Sequence, residues 1–220
     1  MGKKAPSSLG YQRTSGYYGR YSGKDPEMKF HDVDIDDAVV SAAGTIQNSG
    51  SVLGIAQGNG ESDRVGRKII IRKIQWHYSL ELFEVTNSAN RPASEIVRII
   101  LYEDTQCNGA AAAVTDILES DNYQSWRNLA NSSRFKIHLD KEITINRESI
   151  TENSDNTFSA PKSYRTGKFF KNCYIPIEYD NSATDGSLAT IKSKNLCVLL
   201  LSKEGVCAFD SKMRLRYSDQ

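Results

Sequence analysis

The stretch Lys68–Val85, KIIIRKIQWHYSLELFEV, decides the fold of this chain. From Ile74 to Leu82 every second residue is apolar, and the residues between them are polar. A period of two is the pattern of a β-strand that buries one face and exposes the other. It predicts a long strand with Trp76 in the core, in register with Ile70.

Other segments have the same strand-like character and are separated by turns and long connections. They are residues 29–40, 95–103, 133–147, 168–180, 195–202 and 206–219. Asp140–Glu142 has the composition of a tight turn that divides 133–147 in two, and Glu204–Gly205 that of a hairpin. We therefore expect roughly eight strands, with a short helix near Thr115 inside the connection 104–132.

Antiparallel strands without alternating helices, joined by long and unequal connections, predict an all-β fold. The architecture we expect is a single eight-stranded jelly-roll sandwich of two antiparallel sheets. Leu196–Leu201 is apolar at both parities, which predicts that part of the surface of this strand contacts other copies of the chain.

The chain of 220 residues is long enough for one such domain. We expect a flexible N-terminal arm at residues 1–28 and the jelly-roll domain at residues 29–220. No apolar run approaches ~18 residues, so no membrane insertion is expected. The four cysteines have no paired spacing, which favours free buried thiols over a disulfide framework.

Charge is distributed unevenly along the chain. Residues 1–24 hold five of the 28 basic residues and none of the 27 acidic ones, interleaved with tyrosines. A second basic cluster lies at residues 64–73, directly after an acidic stretch at 25–63. Basic residues among aromatic ones suit single-stranded nucleic acid, because cations meet phosphates and rings stack on bases. The alternatives are a tail that only aids solubility and a basic strand end that pairs with the acidic stretch of a neighbouring copy.

The sequence contains no constellation typical of an enzyme. His31, His77 and His138 are isolated from one another, and exposed strand positions are the simplest interpretation of all three. The acidic run at 32–37 lacks the glycine and the distal glutamate of a calcium loop. We expect no catalytic residues, no metal site and no cofactor.

Three blocks carry a resemblance to a known family. They are KFHDVDIDDAVV at 29–40, GNGESDRVGRKIIIRKIQWHYSLEL at 58–82 and EIVRIILYEDTQCNGA at 95–110. These blocks, and the later strands in order, resemble the capsid proteins of circular Rep-encoding single-stranded DNA viruses, the circovirus-like group. The resemblance covers residues 29–219, and its most specific piece is the glycine-bearing segment Gly58–Lys68.

The resemblance implies a self-assembling T=1 icosahedral shell of roughly sixty copies that packages a circular single-stranded DNA genome. It also implies passage through the host nucleus. Contacts with a host receptor, if the virus uses one, are expected in the long connections that form exterior loops. The arm has only five basic residues, fewer than the Arg-rich arms of that group, so its nuclear import signal is weak.

Charge pattern and resemblance together nominate the nucleic-acid contacts. The expected phosphate contacts are Lys3, Lys4, Arg13, Arg20, Lys24, Arg64, Arg67, Lys68 and Arg72. The expected base-stacking residues are the arm tyrosines Tyr11, Tyr17, Tyr18 and Tyr21.

Two other classes of protein use a jelly roll. A carbohydrate-binding or lectin-like module would use exposed loop aromatics, for which Tyr123, Trp126 and Tyr164 are the candidates. A hydrolase or isomerase would need histidines and carboxylates that converge inside the barrel. The basic arm and the 64–73 cluster favour the capsid over both.

Overall fold

The computed structural model describes residues 27–89, 92–107, 109–180 and 184–220. Eleven strands lie in this part of the chain: β1 (Met28–Val39), β2 (Thr45–Ile46), β3 (Lys68–Leu82), β4 (Val85–Ser88), β5 (Ser94–Asp104), β6 (Phe135–Asn146), β7 (Thr151–Glu152), β8 (Phe158–Ala160), β9 (Ser163–Glu178), β10 (Asn195–Ser202) and β11 (Cys207–Asp219). One short helix, α1 (Val114–Ile117), and three 3₁₀ turns complete the described elements. The predicted all-β class and the short helix near Thr115 are confirmed.

Two four-stranded antiparallel sheets form the body of the molecule. The first sheet has the order β1-β11-β3-β9, and the second sheet has the order β2-β10-β5-β6. The remaining strands form a small third sheet, β4-β8-β7. The predicted count of roughly eight strands is therefore not confirmed for the described residues, although the two large sheets together have eight.

One hydrophobic core joins the two large sheets. Trp76 and Phe209 from the first sheet, and Leu101 and Val198 from the second, all belong to it and are fully buried. The rings of Trp76 and Phe209 meet edge to face, with centroids 6.0 Å apart, a favourable aromatic geometry. The predicted position of Trp76 in the core is confirmed.

A second, smaller core lies on the other side of the second sheet. The connection 105–134, which includes α1, brings Ile117 and Tyr123 against Ile100 and Leu199. This packing explains why β10 is apolar at both parities: the chain covers both faces of the strand itself. The predicted contact of this strand with other copies is not needed to bury these residues.

A β-bulge at Arg72 changes the register expected for β3. The core positions along this strand run Ile69, Ile71 and then Ile74, with two residues between the last pair instead of one. Ile70 therefore lies on the opposite face of the strand from Trp76, although both positions are even, so its predicted register is wrong. A bulge inserts one residue into a strand and reverses the alternation beyond it.

The turn predicted at Asp140–Glu142 is also wrong, because β6 runs through it without interruption. Asp140 faces Arg98 of β5, which donates two hydrogen bonds of 2.7 and 2.9 Å to its carboxylate. The polar triplet therefore marks a cross-strand ion pair and not a chain reversal.

All four cysteines are free thiols. No helix among the described residues is long and apolar enough to cross a membrane.

Candidate nucleic-acid interface

The face of the first sheet that points away from the core is polar across its width. Its side chains form cross-strand rows, in which each row takes one residue from β1, β11, β3 and β9 in turn. Three consecutive rows are Asp34-Lys212-His77-Lys168, Asp32-Arg214-Gln75-Phe170 and Phe30-Arg216-Lys73-Asn172. The sheet pairing thus gathers charges that are distant in sequence.

Cations dominate this face away from its β1 edge. We call the set Arg72, Lys73, Lys168, Lys212, Arg214 and Arg216 the basic face. The last four of these side chains are exposed, and the first two are half-buried. A row of exposed cations on a sheet attracts a polyanion, because each phosphate contact releases a condensed counterion.

The bulge in β3 increases the charge of the basic face. Because Ile71 and Ile74 both point into the core, Arg72 and Lys73 between them both point outward. A regular strand would expose only one of two consecutive residues. The bulge therefore places two neighbouring cations on the same side of the sheet.

The acidic run expected at the start of the domain forms the edge of this face. Asp32, Asp34 and Asp36 are exposed on β1, the outermost strand of the first sheet. Asp34 lies 3.7 Å from the ammonium group of Lys212. Among the described residues no three His, Cys, Asp or Glu side chains come close enough together to hold a metal ion.

Arg64 is buried, so its predicted contact with phosphate is wrong. Its side chain is 0% exposed, and its guanidinium lies 4.3 Å from the ring centroid of Tyr179. It donates hydrogen bonds to the backbone carbonyls of Ile55, Gly66 and Asp185 at 3.2, 2.9 and 3.3 Å. Arg64 holds the connection 54–66 against the sandwich, and its donors face carbonyls instead of solvent.

The other predicted basic residues of this cluster lie at the surface. Arg67 and Lys68 are each about half exposed, at 49% and 48%, and both approach the carboxylate of Glu178, at 3.8 and 3.7 Å. Arg72 donates a 3.3 Å hydrogen bond to Ser218. Their role as phosphate contacts stays a prediction. All nine arm residues nominated from the sequence lie outside the described residues.

Sequence reasoning missed most of the basic face. Of its six cations only Arg72 is among the phosphate contacts predicted from the sequence, yet the signal for Lys212, Arg214 and Arg216 was present. Residues 212–216 read KMRLR, so strict alternation places all three cations on one face of the terminal strand. Lys168 could be added only once its strand was known to pair with β3.

A second charged cluster lies elsewhere, around the buried carboxylate of Glu103. Lys194 and His138 approach its oxygens at 2.9 and 3.3 Å, and Lys136 at 3.8 Å. The ammonium of Lys171 lies 3.0 Å from the other ring nitrogen of His138. Burial by itself raises the pKa of Glu103, but the hydrogen bonds and lysine charges outweigh it and lower the pKa to about 2.

This cluster corrects the expectation for one histidine. The side chain of His138 is 1% exposed and lies against Glu103, whereas His77 is exposed and His31 half-buried. The three aromatic residues proposed for a carbohydrate-binding site do not lie together on one exposed surface. Tyr123 is buried, Trp126 is 80% exposed in the connection over the second sheet, and Tyr164 lies on the first sheet.

Comparison with known proteins places the chain among viral coat proteins. Residues 24–220 match the family described as satellite tobacco necrosis virus coat protein, and the chain belongs to that family. It is also 36% identical over 89 residues to the coat protein of Maize white line mosaic Satellite virus. That alignment covers 40% of this chain and 38% of the relative.

The family assignment corrects the more specific resemblance drawn from the sequence. The chain is a coat protein of the satellite virus type, and the comparisons do not support a circovirus-like capsid. Membership of a coat protein family indicates a structural, non-enzymatic role and a place in the virion.

Proposed function

We propose that this coat protein assembles into a small T=1 icosahedral shell and packages single-stranded RNA against the basic face of the first sheet. The observation that carries the proposal is the convergence of exposed cations from β3, β9 and β11 on one side of the sandwich. RNA replaces the DNA expected from the sequence, because the family is that of a satellite virus.

The order of the strands supports a jelly-roll connection between the two sheets. The chain alternates between β1 in the first sheet and β2 in the second, and again between β9, β10 and β11. Two sheets with eight strands connected in this way match the double-sheet jelly roll used by viral capsid domains. The outer face of the first sheet is exposed, whereas the connection 105–134 covers that of the second sheet, so the first sheet is the one that can meet the genome.

The N-terminal arm is part of the same proposal. Residue 27 leads directly into β1 at Met28, which pairs with Ser218 of β11 in the first sheet. The arm at 1–28 therefore joins the chain at the sheet that carries the basic face. Its five cations would add to the phosphate contacts of that face, and its tyrosines would add stacking.

Two lysines and an arginine of the basic face offer a direct test. Replacement of Lys168, Lys212 and Arg216 by glutamine removes three cations, so the slope of log K against log salt for single-stranded RNA should fall by about 2. Fluorescence anisotropy of a labelled oligonucleotide, measured at several salt concentrations, gives this slope.

A matched control removes the same charge from another part of the surface. Arg127, Lys192 and Lys203 are each about half exposed and lie off the basic face. Their replacement by glutamine should leave the slope nearly unchanged. An equal decrease of the salt slope in both triple variants would mean that RNA binding depends on the net charge of the protein and not on where the cations lie.

The assembly itself is tested by light scattering after size exclusion. The proposal predicts particles in the megadalton range, together with an absorbance ratio at 260 and 280 nm that indicates nucleic acid. A chain that stays monomeric across salt and pH contradicts the shell. The DNA genome and the nuclear passage are not carried over, because they rested on the circovirus-like resemblance, and the receptor is not carried over because the family assignment does not support it.

A further inference from the structure

Two aromatic rings stand exposed on the basic face, on the same strand. Phe170 and Tyr174 of β9 are 57% and 61% exposed. They are four positions apart along the strand, which corresponds to about 13 Å. At that distance each ring presents its own surface, and a single small planar group cannot bridge both.

Each ring lies beside a cation of the neighbouring strand β3. The ammonium of Lys73 lies 4.4 Å from the ring centroid of Phe170. The guanidinium of Arg72 lies 5.0 Å from the ring centroid of Tyr174. The bulge that turns both cations outward therefore also gives each ring its own positive charge. Cation–π attraction holds such a ring in a defined orientation.

This arrangement of rings and cations suits an unpaired nucleotide. A planar base can stack on a ring, while the phosphate of the same nucleotide reaches the neighbouring cation. Stacking requires a base that is free of its partner strand, whereas bare cations bind the phosphates of single and double strands alike. The pairing of rings with cations thus adds a preference for single strands over double strands, which charge alone does not provide.

We propose that Phe170 and Tyr174 stack on unpaired bases of the packaged RNA, so that the basic face binds single-stranded RNA in preference to a duplex. This inference rests on the proposed function and adds to it the base-binding residues. Sequence reasoning had nominated only the arm tyrosines for stacking.

Tyr164 provides a matched control on the same strand and the same face. It is 59% exposed, but its cross-strand neighbour is Glu81, which pairs with Lys162. A phosphate at this ring would meet a carboxylate where the other two rings offer a cation. Tyr164 therefore resembles Phe170 and Tyr174 in exposure and in strand position, and differs from them in the charge of its neighbours.

The test uses full-length protein and two probes, a twelve-residue uridine RNA and an abasic ribose-phosphate chain of the same length. The double variant F170L/Y174L should bind the uridine RNA about tenfold or more weakly, whereas its affinity for the abasic chain should stay unchanged. Y164L should bind both probes as the parent does. F170Y/Y174F keeps both rings and should retain the parent's affinity for the uridine RNA.

The possible outcomes separate the inference from the proposed function. If F170L/Y174L weakens both probes equally, the rings only position the cations, and the stacking inference is wrong. If it weakens neither probe while binding still depends on salt, the stacking inference is wrong and the proposed function stands. If the parent protein binds neither probe in a salt-dependent way, the proposed function itself fails.

Discussion

Arg214 and Asp32 face each other across β11 and β1 and form two parallel hydrogen bonds of 2.6 and 2.5 Å. Both side chains are 46% exposed. The hydrogen bonds from Arg214 lower the pKa of Asp32 below its ordinary value. The carboxylate occupies the fork of donors that a phosphate would use, so the acidic edge strand competes with the polyanion for this cation.

Asp32→Asn should therefore strengthen the binding of single-stranded RNA. The amide removes the negative charge and frees the guanidinium of Arg214, so the salt slope should become steeper by about 1. Anisotropy titrations at several salt concentrations measure both effects. Asp121→Asn, at an exposed acid in the connection over the second sheet, should change neither. Equal strengthening in both variants would mean that only the net charge has changed.

Arg64→Met should destabilise the fold without changing RNA affinity per folded molecule. The variant leaves the carbonyls of Ile55 and Gly66 without their donors, and each buried unsatisfied group costs about 1–3 kcal/mol. Chemical denaturation followed by circular dichroism gives the loss in the free energy of unfolding. Arg67→Met, at a half-exposed residue, should cost less than about 0.5 kcal/mol. If Arg64→Met kept its stability but bound RNA more weakly, Arg64 would belong to the RNA interface after all.

Glu103 should make the stability of the subunit depend on acid pH. Its pKa falls from 4.5 in an unperturbed group to about 2 in the folded protein. A lowered pKa stabilises the fold at pH values above 4.5, and this contribution is lost as the pH falls from about 4.5 to about 2. After allowance for solvent screening, we expect a contribution of about 1–3 kcal/mol.

Glu103→Gln tests this contribution by removing the charge between Lys194 and His138. The variant should be less stable than the parent at pH 7, and its stability should fall less than the parent's as the pH drops from 4.5 to 2. Glu204→Gln, in an exposed pair with Lys203, serves as control and should cost less than about 1 kcal/mol. Parallel stability curves for the parent and Glu103→Gln between pH 2 and 5 would contradict the assignment.

Trp76→Leu should cost about 3 kcal/mol or more, because it leaves a cavity in the core that joins both sheets. His77→Ala, one residue away on the exposed face, should change stability by less than about 0.5 kcal/mol. Thermal unfolding of the two variants measures this difference. Similar losses at both positions would place the strand in a different register.

Alternation in the sequence was sufficient to predict the long strands and the core. The pattern from Ile74 to Leu82 identifies β3 and the burial of Trp76, and the apolar run Asn195–Ser202 coincides with β10. The prediction of β3 succeeds because burial of one face gives the sequence a period of two, and that of β10 because burial of both faces gives a continuous apolar run. No long-range information is needed for either.

The basic face could not be predicted in full, because sheet pairing assembles it. Lys168 and Lys212 are 44 positions apart in the chain, yet they occupy one cross-strand row on either side of His77. The bulge at Arg72 also breaks the alternation from which orientation is inferred. The burial of Arg64 could not be predicted either, because the sequence gives its charge but not the backbone carbonyls that surround it.

Lysine acetylation of assembled particles tests the central claim most directly. Lys73, Lys168 and Lys212 of the basic face should lose reactivity in particles filled with single-stranded RNA, compared with particles assembled without it. Lys192 and Lys203, which are off this face, should react equally in both. The account is contradicted if RNA protects these two control lysines while the lysines of the basic face remain as reactive as in empty particles.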